Sequence, residues 1–245
     1  MDMKTGPFPP CISPKKEIQM MKLTLYDSSV SDPIRLKSLI KILNTIASSR
    51  SRRRYRHGVR VGIYAAIIAD AVGMTKQSSS YVRMAGLVHD VGLSAVNDAI
   101  LDKPSRLTAD EYRIVKAHPE IGAKMLDFVN LPDEIVKAVA QHHETFDGAG
   151  YPLGLKGEQI SLPGRIVHLA EAFDMMTNDT PYRRASTVDA AIDMIQGLAG
   201  RNFDPLLVDA LLNSEDITSF YMRKDMVPLD MTLLAFDFRT MWTLK

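Results

Sequence analysis

All six histidines of this chain fall between His57 and His168, and they come with carboxylates in two tight places. His89-Asp90 closes an apolar run, His118 precedes Pro119, and His142-His143-Glu144 opens a segment that continues Thr145-Phe146-Asp147-Gly148-Ala149-Gly150-Tyr151-Pro152. Imidazole nitrogens and carboxylate oxygens in such numbers are the ligand set of catalytic divalent metals. Two ions held a few ångströms apart need a bridging carboxylate, flanking imidazoles and open positions for water and a substrate phosphate. Asp90 is the natural bridge, because it sits beside His89 at a helix end where the two side chains can diverge. His142 and His143 point about 100° apart on a regular helix, so both can serve one ion only where the helix end is distorted. Any one histidine, taken alone, reads more readily as a buried ring bonded to backbone. Their confinement and adjacency favour ligation. His168 lies three residues before Glu171, on one helical face, and reads as a packed histidine supporting the site rather than a ligand.

The elements that must position these groups read as helices. Val59, Ile63, Ala66, Ile67 and Val72 recur at helical spacing up to Gly73. Tyr81, Met84, Ala85 and Val88 form the apolar face of a helix that ends at His89-Asp90. Thr108-Ala109-Asp110-Glu111 is a capping-box pattern opening a helix through Tyr112, Val115 and His118. Helical stretches follow over Ile121 to Phe128 and Pro132 to His143. A loop with Gly148, Gly150, Pro152, Gly154 and Gly157 interrupts, then Pro163 starts a helix carrying Ile166, Val167, Leu169, Ala170 and Phe173. Thr187 caps one more, Val188 to Leu198. No period-2 strand pattern occurs here, and the core is expected to be all-α.

Three segments follow from these patterns. Residues 1–45 form an N-terminal extension, its start (Met1 to Pro14) of disorder-prone composition and its end a helix from Asp32 through Leu36, Leu39, Ile40 and Leu43. Residues 46–213 form the helical domain that carries the histidines. Residues 214–245, with Trp242, show no clear period and read as an irregular tail. An arginine cluster, Arg50, Arg52, Arg53, Arg54 and Arg56, precedes His57; it could bind phosphate or an acidic partner, although such clusters are more often solvated faces.

Composition narrows the class. The chain has 245 residues, is 46% hydrophobic and 24% charged, and carries a net charge of +1. That charge argues against a general nucleic-acid or anionic-membrane surface. The single cysteine, Cys11, excludes an intramolecular disulfide and suits a reducing compartment. No apolar run is long enough for a membrane span, and the first residues lack the apolar core of a secretory signal. The expectation is a cytoplasmic protein.

In its ordered motifs the chain resembles the HD-GYP family of metal-dependent phosphohydrolases, which open cyclic di-GMP. The resemblance rests on His57-Gly58-Val59-Arg60-Val61, Gly86-Leu87-Val88-His89-Asp90-Val91-Gly92, Ile100-Leu101-Asp102-Lys103-Pro104 and Lys116-Ala117-His118-Pro119-Glu120-Ile121-Gly122. It continues through His142-His143-Glu144, the signature loop Asp147-Gly148-Ala149-Gly150-Tyr151-Pro152, Arg165-Ile166-Val167, Pro181-Tyr182-Arg183 and Phe203-Asp204-Pro205. It implies an HD-superfamily helical domain holding two divalent ions, iron or manganese rather than zinc. His57, His89 and Asp90 would hold one ion, with Glu171 where the family normally has aspartate. Asp90, His118, His142 and His143 would hold the other, and Asp90 is the central catalytic carboxylate. Tyr151 and Arg183 would contact substrate, although Tyr151 could equally pack. In the loop, Gly148 and Gly150 are expected to supply positive φ and Asp147 to anchor the loop to the metal-bearing helix end. Lys103 reads as structural or at the substrate edge.

Three positions depart from the family pattern. Leu93 stands where a lysine normally follows His-Asp-x-Gly, and an ammonium there would stabilise charge on a transferring phosphoryl group. Glu171 has one more methylene than aspartate. Thr180 stands where an arginine is common. Arg53, four residues before His57, replaces the glutamate of three-metal members and favours two ions. Three readings follow from the resemblance and its departures: hydrolysis of cyclic di-GMP to pGpG or GMP; a module that binds nucleotide or a partner protein with little turnover; and hydrolysis of another cyclic dinucleotide. With only about 45 residues before the match, too few for a receiver domain, control would come from expression, from a homodimer formed through the first helix, or from a regulatory protein partner.

Overall fold

The computed structural model describes residues 36, 38–40, 42, 51–179 and 183–223. Cys11, Asp32, Arg50, Thr180, Trp242 and the rest of the tail beyond Arg223 lie outside them. Helix α1 (Arg52–Ala71) starts at Ser51, whose side chain accepts from the Arg54 backbone N–H. From Gly58 to Ala69 all but Arg60 are buried. A helix apolar on nearly all sides can only be central, and helices α2 (Lys76–Val88) and α7 (Leu162–Thr177) pack directly on it.

The α1–α2 contact leaves no room for side chains. A Cβ on Gly62 would lie 2.7 Å from the Arg83 carbonyl oxygen, and one on Gly86 would lie 2.8 Å from Gly62 Cα. Only glycine permits backbones this close. The seam brings His57 of α1 and His89, the C-cap of α2, to a ring separation of 5.1 Å.

A short 3₁₀ turn (Val91–Ala95) and α3 (Asp98–Leu101) follow. Helix α4 (Ala109–Lys116) opens on the Thr108–Glu111 capping box expected from the sequence. Then come α5 (His118–Phe128), α6 (Asp133–Gln141), and, after α7, α8 (Val188–Gly197), α9 (Pro205–Leu212) and α10 (Glu215–Arg223). Among the described residues there is no strand, only isolated bridge residues such as the pair Ala199 and Phe203. The fold is all-α. No described helix is long and apolar enough to cross a membrane.

The segment expected to be an irregular tail from residue 214 begins instead with α10. Its Ile217 and Phe220 are buried, and the Phe220 ring meets Tyr64 edge-to-face at 5.0 Å, as Phe173 of α7 does from the other helix. Burying such a ring contributes about 1.5–3 kcal/mol, and Ile217, Phe220 and Tyr221 at i, i+3 and i+4 give this short helix one apolar face toward the core. Leu36 and Ile40, within the helix expected before the histidine domain, are also buried in the core.

Candidate metal centre

The candidate ligands arrive from the ends of helices rather than from their middles. His89 caps α2, Asp90 lies between α2 and the 3₁₀ turn, His118 opens α5, and His142 is the C-cap of α6. The exceptions are His57, in the second turn of α1, and Glu171, in the middle of α7. The chain leaves helical hydrogen bonding at Gln141, so His142 and His143 escape the 100° divergence of a regular helix. Their ring centroids are 4.2 Å apart and tilted by 41°.

Three of the rings are fixed in one way. His89 Nδ1 donates to the Gly86 carbonyl at 2.7 Å, His118 Nδ1 to Val115 at 2.8 Å, and His142 Nδ1 to Val139 at 2.7 Å. A carbonyl can only accept, so each Nδ1 carries the proton and each neutral ring turns the lone pair of Nε2 inward. His118 Nε2 and His142 Nε2 face each other at 3.1 Å. Two lone pairs that close repel unless something positive lies beside them. Ligands of a single ion, with bonds of about 2.1 Å, stand about 3.0–3.4 Å apart. The spacing therefore fits a shared cation.

Asp90 divides its carboxylate between two groups of rings: Oδ2 is 3.4 Å from His89 Nε2 and Oδ1 is 3.3 Å from His118 Nε2. Ligand atoms of His57, His89 and Glu171 fall within 4.8 Å of one another, as do those of His118, His142 and His143. Asp90 groups in the same way with His89 and His142. All seven candidate ligands are brought together. His168 joins them more closely than expected: its Nδ1 donates to the His142 carbonyl at 2.8 Å, its Nε2 is buried with no hydrogen-bond partner, and it groups with His143 and Glu171.

The electrostatics are those of a site short of positive charge. Burial opposes ionisation of Asp90, but His89 and His118 outweigh it and hold the carboxyl well below the usual range. Burial also opposes charge on His89, yet Asp90 beside it pushes the imidazole up to about 9. Burial, with Asp90 and Asp174 adding to it, pushes Glu171 up to about 7. His142 and His143 are driven down, His143 to about 3, first by burial and then by neighbouring imidazoles.

Two carboxylates that sequence reasoning did not single out support the site. Asp174 is buried, and its Oδ2 accepts from His57 Nδ1 at 2.7 Å, which aims His57 Nε2 inward. Asp174 is in turn held by Arg60 Nε at 2.5 Å, Arg60 Nη2 at 2.9 Å and Asn178 Nδ2 at 3.0 Å. Its position three residues after Glu171, on the same face of α7, was the available signal. Glu144 is also buried, and its two oxygens accept from the Leu153 and Leu155 backbone N–H groups at 2.7 and 3.0 Å.

Glu144, not Asp147, ties the signature loop to the metal-bearing helix end. Asp147 instead closes its own turn, with Oδ1 accepting from Thr145 Oγ1 at 2.7 Å and the Ala149 N–H at 3.0 Å. Of the loop glycines, Gly148 has φ +85°, as expected. Gly150 does not have a positive φ; its requirement is space, since a Cβ there would lie 2.3 Å from the Thr145 nitrogen. The peptide preceding Pro152 is cis. Tyr151 stacks on His143 at 4.8 Å and takes Lys116 Nζ over its ring at 4.4 Å. Arg183 is exposed and donates to the Met175 carbonyl and to Ser186 Oγ. Lys103 is structural, gripping both Glu111 oxygens at 2.8 and 2.6 Å. Leu93 is half-buried in the 3₁₀ turn, so no ammonium reaches the site from that position.

Comparison with known proteins agrees with this geometry. The family described as HD domain matches residues 41–207, more than half of the chain. A cyclic di-GMP phosphodiesterase of Thermotoga maritima is 34% identical over 86% of this chain and 58% of its own length. The cyclic di-GMP phosphodiesterase response regulator RpfG of Xanthomonas campestris is 41% identical over 62% of this chain and 41% of its own. The chain thus spans about half the length of these relatives. A cyclic GMP-AMP specific phosphodiesterase of Vibrio cholerae has the same fold, with a TM-score of 0.53 at 19% identity over 82% of this chain and 57% of that one.

Proposed function

The chain belongs to the HD-domain family, and from that premise we propose that it is a metal-dependent phosphodiesterase that opens cyclic di-GMP to pGpG. The observation that carries the reading is the convergence of imidazole Nε2 atoms around a divided Asp90 carboxylate, with His118 and His142 at 3.1 Å. The donor set fits two divalent ions: His57, His89, Asp90 and Glu171 around one, Asp90, His118, His142 and His143 around the other. Imidazole and carboxylate ligands that leave positions open favour octahedral iron or manganese over zinc. When bound, such ions lower the pKa of water and neutralise phosphate oxygens.

The chain's own residues would do the rest. The backbone carbonyls of Gly86, Val115 and Val139 lock the rings in the ligating tautomer, so no reorientation is needed when substrate arrives. Asp174 does the same for His57. Tyr151, flat against His143 and with Lys116 Nζ over its ring, walls one side of the centre and places the Lys116 ammonium there for a substrate phosphate. Hydrolysis adds water across one P–O3′ bond, leaving a 5′-phosphate and a free 3′-hydroxyl.

Two other readings keep specific support. The aliphatic Leu93 favours a module that binds nucleotide with little turnover. A 3′3′-cGAMP-specific phosphodiesterase of Vibrio cholerae, 34% identical over 74% of this chain and 35% of its own length, favours a mixed cyclic dinucleotide. Incubating protein loaded anaerobically with ferrous iron or manganese against cyclic di-GMP, 3′,3′-cGAMP and cyclic di-AMP separates the three. Linear product from cyclic di-GMP, absent with Asp90→Ala, supports the proposal. Binding without product supports the module, and product only from cGAMP supports the mixed substrate.

A further inference from the structure

Beside the metal centre lies a cleft of about 590 Å³ lined by Arg52, Arg53, Arg56, Arg60, Asp179 and Tyr221, among others; Asp179, a carboxylate among these arginines, accepts from the Ala185 N–H at 2.8 Å. It continues the same two helices past the candidate ligands. Arg53 is one turn before His57 on α1, and Thr177 and Asn178 follow Asp174 at the end of α7. Arg60 and Asn178 both hold Asp174, the carboxylate that orients His57. The cleft and the centre thus share a wall.

Resting on the reading of this site as a cyclic dinucleotide hydrolase, we propose that Arg53 and Arg56, with Arg52, bind the phosphodiester of the ring that is not being cleaved. Arg60 is neutralised by Asp174. Arg52, Arg53 and Arg56 are exposed and make no ion pair among the described residues. Arg52 and Arg56 lie four residues apart, a like-charge pair that destabilises a helix unless an anion offsets it. A solvated face would be convex. This one is concave, closed opposite by the end of α7, and of the size that small-ligand sites have. Tyr221 of α10 adds an aromatic surface against which a base can lie.

A cyclic dinucleotide carries two phosphodiesters on one ring, so a phosphate at the ions sets the other down nearby. Arg53 is about 6 Å along the helix from His57, within reach of such a molecule. Guanidinium forks suit phosphate oxygens. This strip would supply cationic contacts that Leu93 does not.

The test compares wild type with the double variant Arg53→Gln, Arg56→Gln and with the corresponding double lysine variant. Isothermal titration with cyclic di-GMP should show the Kd of the glutamine variant raised about tenfold or more, with a weaker dependence on salt, and the lysine variant restoring most of the affinity. The ratio of kcat/KM for cyclic di-GMP to that for bis(p-nitrophenyl) phosphate, which has no second phosphate, should fall by a similar factor. A Kd within twofold of wild type overturns the proposal. So does a parallel loss on both substrates, because the strip would then act at the scissile centre. If wild type binds cyclic di-GMP without opening it, the hydrolase reading fails while the Kd comparison still decides the role of the arginines. If wild type does not bind it at all, both fail.

Discussion

Replacing Asp174 by asparagine preserves shape and removes one acceptor. In the native protein Oδ1 accepts from Arg60 Nε at 2.5 Å and Asn178 Nδ2 at 3.0 Å, while Oδ2 accepts from His57 Nδ1 at 2.7 Å and Arg60 Nη2 at 2.9 Å. An amide has one oxygen and one NH₂, so either orientation turns two of these contacts into donor against donor. Hydrogen bonds to charged groups contribute about 1.5–3 kcal/mol each, which sets an upper bound of about 6 kcal/mol. The Arg60 side chain is 17% exposed and can turn toward solvent, so a loss near 3 kcal/mol is expected. Where the NH₂ takes the Oδ2 position, His57 loses its acceptor and the affinity of its ion should fall about 10–100-fold, leaving the His118–His142–His143 group largely unaffected; the opposite orientation, which spares His57, sets the NH₂ against Arg60 Nε and Asn178 Nδ2. Urea denaturation of metal-free protein measures the first effect and competition with a chromogenic chelator the second. A folded Asp174→Asn protein whose two metal affinities both lie within twofold of wild type would refute this account of Asp174.

Truncating Glu144 to alanine removes the acceptor of two loop N–H groups and should cost about 2–4 kcal/mol; hydrogen exchange of Leu153 and Leu155 should accelerate, and unchanged protection would count against the tether. Gly62→Ala places a methyl 2.7 Å from the Arg83 carbonyl, so the helices must part. About 1–3 kcal/mol should be lost together with metal affinity, because His57 and His89 sit on the two sides of that seam; thermal melts with and without metal measure both. Stability of the metal-free protein should fall on acidification below pH 6.5. Burial depresses His118, His142, His143 and His168, so the unfolded chain binds more protons there. Their contribution is complete above the unfolded value and is lost as pH falls toward the folded ones, about 3 for His143, at up to about 1.4 kcal/mol per histidine per pH unit. Glu171, raised to about 7, works the other way and offsets about one histidine's share, so the net fall is smaller than the four histidines alone would give; urea midpoints that stay level between pH 7 and 5 would contradict it.

Much of this centre is legible in the sequence because its ligands sit at helix ends, where local signals are strong. His89-Asp90 follows an apolar helical face, and the Thr108–Glu111 box fixes the start of α4, which ends just before His118. The helix before the signature loop is marked by periodicity, and the two after it by Pro163 in the first turn of α7 and by the Thr187 cap of α8. What was illegible depends on contacts distant in sequence. Asp174 gains its role from His57 and Arg60, more than a hundred residues away. Glu144 looks like one more acid beside two histidines until its oxygens are seen tying Leu153 and Leu155. Gly150 resembles a turn glycine, yet its need is for space against Thr145. Helix α10 was legible too, since Ile217, Phe220 and Tyr221 fall at helical spacing behind an acidic first turn; its nine residues are simply a short stretch in which to see a period.

The central claim is that Asp90 is shared by two ions that the reaction requires. Its most direct test is metal content by mass spectrometry, with cyclic di-GMP turnover on the same anaerobically loaded and desalted samples. Two ions per chain with linear product in wild type, and loss of at least one ion together with all product in Asp90→Ala, is the expected result. Wild type that holds two ions and yields no product, or an Asp90→Ala protein that turns over at the wild-type rate, would contradict it.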